Sequence, residues 1–229
     1  MHNLKYHLKK SYPVTEIIIP INDTKLKGDL TIPNGSVSLV IFSHGDGSNH
    51  SSPRNKFVAE QLQSAGIGTL LVDLLSEDEQ ITDSKDKRHR FDISLISERL
   101  YSITQWIQNN PDTAKLGLGY LGASTGAAAA INSAAKLNGA IHAMVLRSGR
   151  PDLAQKESIQ KIKCPILMIL GSNDPGTIKG NQKALEKMKN IDGAKKRMAL
   201  IPGGTHLLEE KGVFEEAAKF AVSWFEKYL

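Results

Sequence analysis

Residues 116–130 read LGLGYLGASTGAAAA, and this stretch decides the fold. Leu116–Leu121 is an apolar run of strand length, and Thr125–Lys136 begins with small residues that suit a closely packed helix. Between them, Gly122-Ala123-Ser124-Thr125-Gly126 has the G-x-S-x-G pattern. Between a strand and a helix, this pattern is typical of a nucleophile elbow, in which a sharp turn exposes the serine hydroxyl above the sheet. The alternative is a packing contact between small residues at a helix start.

Apolar runs of strand length recur on both sides of this stretch and alternate with segments of helical periodicity. Runs buried on both faces and linked by helices predict a mostly parallel sheet with helices on both faces, which is the α/β class. Glu16–Ile21 and Leu26–Ile32 predict an antiparallel N-terminal hairpin. We predict one domain over residues 1–229. The remaining strands are predicted at Val37–Phe42, Thr69–Leu74, His142–Leu146, Pro165–Leu170 and Arg197–Ile201, and the remaining helices at Asn55–Ser64, Ile93–Gln108, Ile178–Met188 and Val213–Lys227.

The composition agrees with a globular protein. The chain has 229 residues, of which 40% are hydrophobic and 23% are charged, and this excludes a disordered or disulfide-dense chain. The single cysteine, Cys164, cannot form an internal disulfide. No run approaches the roughly 18 apolar residues that a membrane helix needs. Met1–Pro20 lacks a signal-peptide core, so we expect a cytoplasmic location and no membrane partner.

The formal net charge of +5 raises the question of a nucleic-acid partner. The basic residues are scattered, however, and Lys179, Lys183 and Lys187 recur every four residues, as on one solvated helix face. No aromatic residues interleave with the basic clusters to stack on bases. We therefore expect no nucleic-acid partner, and the sequence leaves open whether the chain forms a homodimer.

Candidate catalytic residues follow the predicted strands, because ligands bind beyond the carboxyl ends of strands in parallel sheets. Asp174 follows the strand at 165–170, and His206 follows the strand at 197–201. A carboxylate can orient an imidazole, and the imidazole can take the proton of a serine. The order Ser124, Asp174, His206 is that of the α/β-hydrolase triad. The alternative for Asp174 is a helix cap.

The turn Ser43-His44-Gly45-Asp46-Gly47 follows the strand at 37–42. An oxyanion hole needs two backbone N–H groups directed at one oxygen. We expect one from Thr125, the residue after the serine, and the other from Asp46, by analogy with His-Gly-x-Gly turns. The Asp46 carboxylate would then have to point away from the oxyanion. The alternative is a plain glycine turn.

Candidate substrate-binding residues lie on the same rim as Ser124. They are His44, Arg54, Arg147 and Arg150. Because guanidinium groups suit carboxylates and phosphates, the arginines favour a substrate with an anionic acyl or alcohol group. The alternative is that an arginine pairs with Asp152 as part of the structure.

The segments that could cover the site are short or polar. Thirteen residues, Pro151–Lys163, join two predicted strands and are too few for a helical lid. Ser76–Arg90 is predicted as a long polar loop, which could fold over the pocket instead. A site without a large lid favours small or soluble esters.

Together these stretches resemble the α/β hydrolases of the dienelactone-hydrolase-like group. The resemblance rests on the Ser-His-Gly-x-Gly turn at 43–47, Ser-Pro-Arg-Asn at 52–55 and Pro-Gly-Gly-Thr-His-Leu at 202–207, and it extends from about Val37 to the carboxyl end. Relatives of this group are sometimes fused to a phosphoribosyltransferase. One departure is the nucleophile, because true dienelactone hydrolases use cysteine where this chain has Ser124. Cys164 precedes a strand and so lies at the wrong end to replace it.

The sequence therefore predicts a serine hydrolase that cleaves a small carboxylic ester, thioester or lactone through an acyl-enzyme on Ser124. No Cys/His cluster has the spacing of metal ligands, so neither a metal nor an organic cofactor is expected. Two alternatives stay open. The same triad could transfer the acyl group to an alcohol, or the chain could be a non-catalytic binding or regulatory protein on a hydrolase scaffold.

Overall fold

The structure, a computed structural model, describes residues 12–45 and 49–229. Its strands are β1 (Thr15–Ile21), β2 (Thr24–Thr31), β3 (Ser38–Ser43), β4 (Gly68–Val72), β5 (Gly117–Ala123), β6 (Ile141–Arg147), β7 (Ile166–Gly171) and β8 (Lys196–Ile201). Its α-helices are α1 (Pro53–Ser64), α2 (Glu77–Asp86), α3 (Arg88–Phe91), α4 (Ile93–Asn109), α5 (Thr125–Lys136), α6 (Lys156–Lys161), α7 (Pro175–Lys187) and α8 (Val213–Tyr228).

All eight strands belong to one sheet, in the order β1-β2-β4-β3-β5-β6-β7-β8. The pairs β1–β2 and β2–β4 are antiparallel, and all other neighbours are parallel. This confirms the predicted α/β class with its antiparallel N-terminal hairpin. Because β3, β5, β6, β7 and β8 run in one direction, their carboxyl ends meet at one edge, and the candidate residues follow them there.

Helices cover both faces of the sheet, as predicted. On one face the apolar core includes α4, which buries Ile96, Leu100, Ile103 and Ile107 at the spacing of one helix stripe. On the other face α1 and α8 contribute Val58, Leu62, Ala221 and Phe225. The sheet is therefore enclosed between two hydrophobic layers, and only its edges are open for a site.

The segment predicted as a long polar loop, Ser76–Arg90, is helical, so that prediction is wrong. Ser76 caps α2 through a capping box: the Glu79 backbone N–H donates to Ser76 Oγ at 3.3 Å, and the Ser76 N–H donates to Glu79 Oε2 at 2.8 Å. Three acidic residues in the first turn complement the helix dipole. Lys87, with φ 58°, ends α2 in a left-handed conformation, and α3 follows.

The connection from β6 to β7 contains one 3-10 turn, Pro151–Leu153, and the six-residue helix α6, which the sequence did not predict. It forms no large lid, as expected. Within residues 12–45 and 49–229, no helix combines the length and the apolar character needed to cross a membrane.

Candidate active site

Ser124 lies in a strained turn between β5 and α5. Its φ of 51° falls in the left-handed region, which a serine adopts only when its surroundings enforce it. The Ser124 carbonyl accepts hydrogen bonds from the N–H groups of Ala127 (3.1 Å) and Arg150 (3.0 Å). The glycine at position 126 is required by space, since a Cβ there would overlap the Ser43 carbonyl. The G-x-S-x-G pattern therefore forms the predicted elbow.

Asp174 and His206 form a direct pair at the ends of β7 and β8. Asp174 Oδ2 lies 2.6 Å from His206 Nδ1, and Asp174 Oδ1 accepts the Thr177 N–H at 3.2 Å. Asp174 thus caps α7 and contacts the imidazole at once, which is the geometry that both interpretations require, and its catalytic role stays a prediction. Burial raises the pKa of Asp174, but the hydrogen bonds from Thr177 and His206 outweigh it and leave the pKa below its usual value.

Thr177 is a residue of this pair that the sequence analysis missed. Its hydroxyl lies 3.3 Å from His206 Nδ1, beside the Asp174 carboxylate. It occupies the third position after the cap, where the first turn of α7 brings it back to the loop that carries His206. The signal in the sequence is the cap spacing Asp-x-x-Thr, which does not by itself point to the histidine.

The loop that carries His206 is held against the end of β7. A Cβ at Gly171 would overlap the Gly204 carbonyl, and the Asn173 N–H donates to that carbonyl at 2.8 Å. The Glu210 carboxylate accepts the Thr205 N–H at 3.2 Å. These contacts fix the backbone on both sides of the imidazole.

Ser124 and His206 line the same cavity, which has a volume of about 140 Å³. Asp174 does not line it, because it lies behind the imidazole. The cavity also contains His44, Arg54 and Arg147, together with Gly45, Ser52, Asn55, Ala123, Ser148 and Leu207. No residue of α2 or α3 is among its described lining, so the expectation that the segment 76–90 folds over this pocket is wrong.

Of the two residues predicted to form the oxyanion hole, the structure describes one, Thr125. Thr125, which is predicted to supply one of the two donors, is the first residue of α5. Gly45 lies directly against it, and a Cβ at Gly45 would lie 2.9 Å from the backbone nitrogens of Thr125 and Gly126. Gly45 therefore has to be glycine, a requirement that the sequence analysis did not recognise. Asp46 lies outside the described residues, and its role stays a prediction.

The three predicted arginines have different surroundings. Arg150 pairs with exposed Asp152 through contacts of 2.9 and 2.8 Å, and it is absent from the described lining of the cavity. The structural alternative is therefore the correct one for Arg150. Arg54 and Arg147 line the cavity, and their Cζ atoms lie 4.8 and 4.9 Å from the centroid of the Phe214 ring.

Arg147 lacks a carboxylate partner within the described residues. Its Nη1 is buried and makes no hydrogen bond there. Burial, together with the positive charge of Arg54, lowers the pKa of Arg147 to about 9. Among the described residues, Arg54 has one acidic neighbour, Glu209, at 3.6 Å. The cavity therefore combines the serine and the imidazole with a guanidinium group, that of Arg147, which no described carboxylate neutralises.

His44 lines the cavity, as predicted for a substrate-binding residue, but its Nε2 is directed at a buried carboxylate. That carboxylate belongs to Asp73, at 3.5 Å, and His50 Nδ1 lies 2.8 Å from the same group. His50 makes the hydrogen bonds, whereas His44 Nε2 approaches at 3.5 Å without a hydrogen bond. The pKa of Asp73 is lowered to about 2, because its interactions with both histidines outweigh the effect of burial. No pattern in the sequence predicts this cluster, because Asp73 is far along the chain from the connection that carries both histidines.

One group of described residues has ligand atoms close enough for a metal ion. Its members are Asp83, Asp86 and His89, with ligand atoms within 4.8 Å of one another. Arg90 donates to the Asp83 carboxylate from its backbone N–H at 2.9 Å and from its side-chain Nε at 2.5 Å. Arg88 donates from its Nε to the Asp86 carboxylate at 2.6 Å. Since both carboxylates have cationic partners, this group is explained by ion pairing.

Comparison with known proteins gives the family. The model of the dienelactone hydrolase family matches residues 27–228. The chain belongs to the dienelactone hydrolase family. A dienelactone hydrolase from Anabaena variabilis, known from its crystal structure, shares 43% sequence identity with this chain. The two structures superpose with a TM-score of 0.91 over 95% of this chain and 99% of that one. This confirms the resemblance and the α/β-hydrolase fold.

Two further proteins broaden the comparison, one by its fold and one by its sequence. Est1E from Butyrivibrio proteoclasticus shares the fold, with a TM-score of 0.72 at 16% identity, over 92% of this chain and 98% of Est1E. A Mycobacterium tuberculosis protein with a provisional phosphoribosyl transferase name is 40% identical over 93% of this chain. The chain spans only 46% of that protein, less than half of its length.

Proposed function

We propose that the chain is a serine hydrolase that cleaves a small carboxylic ester, with thioesters and lactones as related substrates. The observation that carries the proposal is the pair of Asp174 and His206, 2.6 Å apart, at the cavity that contains Ser124 in its strained elbow. Ser124 is the proposed nucleophile, His206 the general base, and Asp174 the residue that orients the imidazole. Membership of the family supports the hydrolase class, and serine takes the position where dienelactone hydrolases have cysteine.

In the proposed reaction, His206 Nε2 takes the proton of the Ser124 hydroxyl while Ser124 Oγ bonds to the substrate carbonyl carbon. The negative charge moves to the carbonyl oxygen, where the Thr125 N–H and the predicted Asp46 N–H donate hydrogen bonds. The carbonyl re-forms, the ester C–O bond breaks, and the imidazolium gives its proton to the leaving alcohol. Water then attacks the acyl group with His206 as base, which releases the acid and restores Ser124.

The proposed substrate carries a negative charge. The support is Arg147, whose buried guanidinium nitrogen lacks a partner among the described residues, with Arg54 beside the same aromatic ring. A carboxylate or phosphate of the substrate would supply the missing hydrogen-bond acceptors and neutralise the charge. The cavity volume of about 140 Å³ favours a compact acyl or alcohol group.

The test is intact-mass analysis after treatment with a fluorophosphonate, which labels activated serines. We expect one adduct on the wild type, none on Ser124→Ala, and one on Ser148→Ala, a control that removes a serine hydroxyl from the same cavity. The absence of an adduct on folded wild-type protein would contradict the proposal and favour a non-catalytic binding protein. If labelling succeeds, product analysis with an added alcohol separates hydrolysis from acyl transfer.

We also propose a cytoplasmic location, supported by the single cysteine, Cys164, which cannot form an internal disulfide. We further propose that the substrate is not a nucleic acid and that the protein has no membrane partner. Fractionation of the cells that make the protein tests the location directly.

A further inference from the structure

A buried carboxylate outside the proposed chemistry holds the turn beside the elbow. Asp73 directly follows β4 and is only 4% exposed. Its carboxylate contacts groups from the connection between β3 and α1 and from α2. These are the His50 N–H at 2.7 Å, His50 Nδ1 at 2.8 Å, Gln80 Nε2 at 3.0 Å and His44 Nε2 at 3.5 Å.

The two histidines that contact this carboxylate lie close together in the sequence. His44 directly follows β3, and His50 lies three residues before the start of α1. Gly45, next to His44, packs against the backbone nitrogens of Thr125 and Gly126, where any side chain would be in conflict. Asp73 is therefore connected, through His44 and Gly45, to the first turn of α5.

Asp73 itself is too far from the chemistry to react. It is absent from the described lining of the Ser124 cavity and lines a neighbouring cavity of about 240 Å³. His44 and Gly45 line both cavities and so separate them. Any effect of Asp73 on turnover must therefore pass through this turn.

We propose that Asp73 is a positioning residue, which holds the His44–Gly45 turn against Thr125 so that the backbone donors near Ser124 keep their place around the oxyanion. This inference rests on the proposed serine hydrolase. Donors around an oxyanion act through fixed placement, and a shift of about 1 Å near a reacting centre can lower the rate about 100-fold.

The test compares Asp73→Asn with Asp83→Asn. Asn has the shape of Asp but carries no charge, and its NH₂ group cannot accept the hydrogen bonds that the second carboxylate oxygen accepts. Asp83 is a matched control because it is 2% exposed and lines the same neighbouring cavity, but is bound by Arg90 instead of the histidines. Thermal unfolding of both variants shows how much of each loss in turnover comes from lower stability of the fold.

We expect Asp73→Asn to lower kcat about 10- to 100-fold with KM within about threefold, since substrate contacts stay and only the transition state loses its donors. Asp83→Asn should keep kcat within about threefold of the wild type. The inference is overturned if the two variants lose the same kcat, or if Asp73→Asn changes only KM.

Hydrogen exchange provides a readout that does not need turnover. The amide of His50 donates to Asp73 Oδ1, an acceptor that Asp73→Ala removes, so Asp73→Ala should speed exchange at His50 and Asp83→Ala should not. Unchanged exchange at His50 in Asp73→Ala would overturn the inference by itself. A wild type without ester turnover would count against the proposed function, and the exchange experiment would still decide whether Asp73 holds the turn.

Discussion

At the scale of single residues, the three arginines on the rim illustrate what a sequence can predict. The ends of neighbouring strands determine which residues share a rim, so the sequence alone places Arg147 and Arg150 there. Which arginine is available to bind a ligand depends on its acidic neighbours, which are Asp152 for Arg150 and Glu209 for Arg54. Glu209 approaches Arg54 from a distant part of the chain, and no periodicity in the sequence encodes that approach.

We predict that Arg147→Met changes charge selectivity. A hydrogen bond to a charged group contributes about 1.5–3 kcal/mol, so kcat/KM for an anionic ester should fall about 10- to 100-fold. A neutral ester of the same size should stay within about threefold. The measurement is kcat/KM for both esters, and Arg150→Met is the control, since its exposed side chain pairs with Asp152. An equal loss for the two esters would contradict the assignment.

At the scale of elements, α7 and the site share one residue. The sequence offered a cap and a catalytic carboxylate as competing interpretations of Asp174, and the first turn of the helix accommodates both. Residues that flank a strand end commonly begin the next helix, so the two roles are compatible in an α/β sheet.

Two substitutions of Asp174 should separate these roles. Asp174→Asn keeps a good capping side chain but cannot hold the imidazole in the same way, so we expect kcat to fall about 10³- to 10⁴-fold. Asp174→Ala should lose activity equally and unfold with about 1 kcal/mol less free energy than Asp174→Asn. Urea unfolding and turnover measure the two effects. Equal stability of both variants would rule out a contribution from the cap.

The helix α2 was missed for a physical reason. Helical periodicity is detected through a buried apolar stripe, and the residue that α2 buries is the carboxylate of Asp83. The available signal was the capping box at Ser76 and Glu79, which predicts a helix start in spite of the polar composition.

We expect Ser76→Ala to lower the free energy of unfolding by about 1 kcal/mol, because the Glu79 N–H loses its acceptor, Ser76 Oγ, at the helix start. Thr82→Ala, in the same helix but away from its start, is the control and should change stability by less than about 0.5 kcal/mol. Urea denaturation measures both. A loss in Thr82→Ala as large as that in Ser76→Ala would assign the effect to the helix as a whole.

At the scale of the whole molecule, the alternation of strands and helices was enough to predict the architecture, since each element of the sheet contains its own signal. The cluster around Asp73 was not predictable in that way. Its members lie at positions 44, 50, 73 and 80, and only the parallel pairing of β3 with β4 brings them together. Local sequence pattern therefore predicted the architecture and the three candidate catalytic residues, whereas the cluster around Asp73 became visible only from long-range contacts in the structure.

Acid should destabilise the protein through this buried carboxylate. The pKa of Asp73 falls from 3.8 to about 2 on folding, so its ionised form stabilises the folded state above pH 4, and that contribution is lost as the pH falls towards 2. The ionisation of Asp73 contributes about 2 kcal/mol to the free energy of unfolding at neutral pH. Urea unfolding of the wild type and Asp73→Asn should therefore differ more at pH 7 than at pH 2.5. An equal difference at both pH values would contradict this.

Because Arg147 has no carboxylate partner among the described residues, binding of an anion in the cavity should also change the thermal stability of the protein. Any anion that binds the folded chain and not the unfolded chain raises the melting temperature, and the rise grows with its affinity and concentration. Small carboxylates and phosphates could thus be ranked by thermal shift, without a chromogenic ester and without turnover. Shifts that vanish in Arg147→Met would identify the compounds that reach the cavity, and their common chemical group would indicate which half of the unknown substrate is charged.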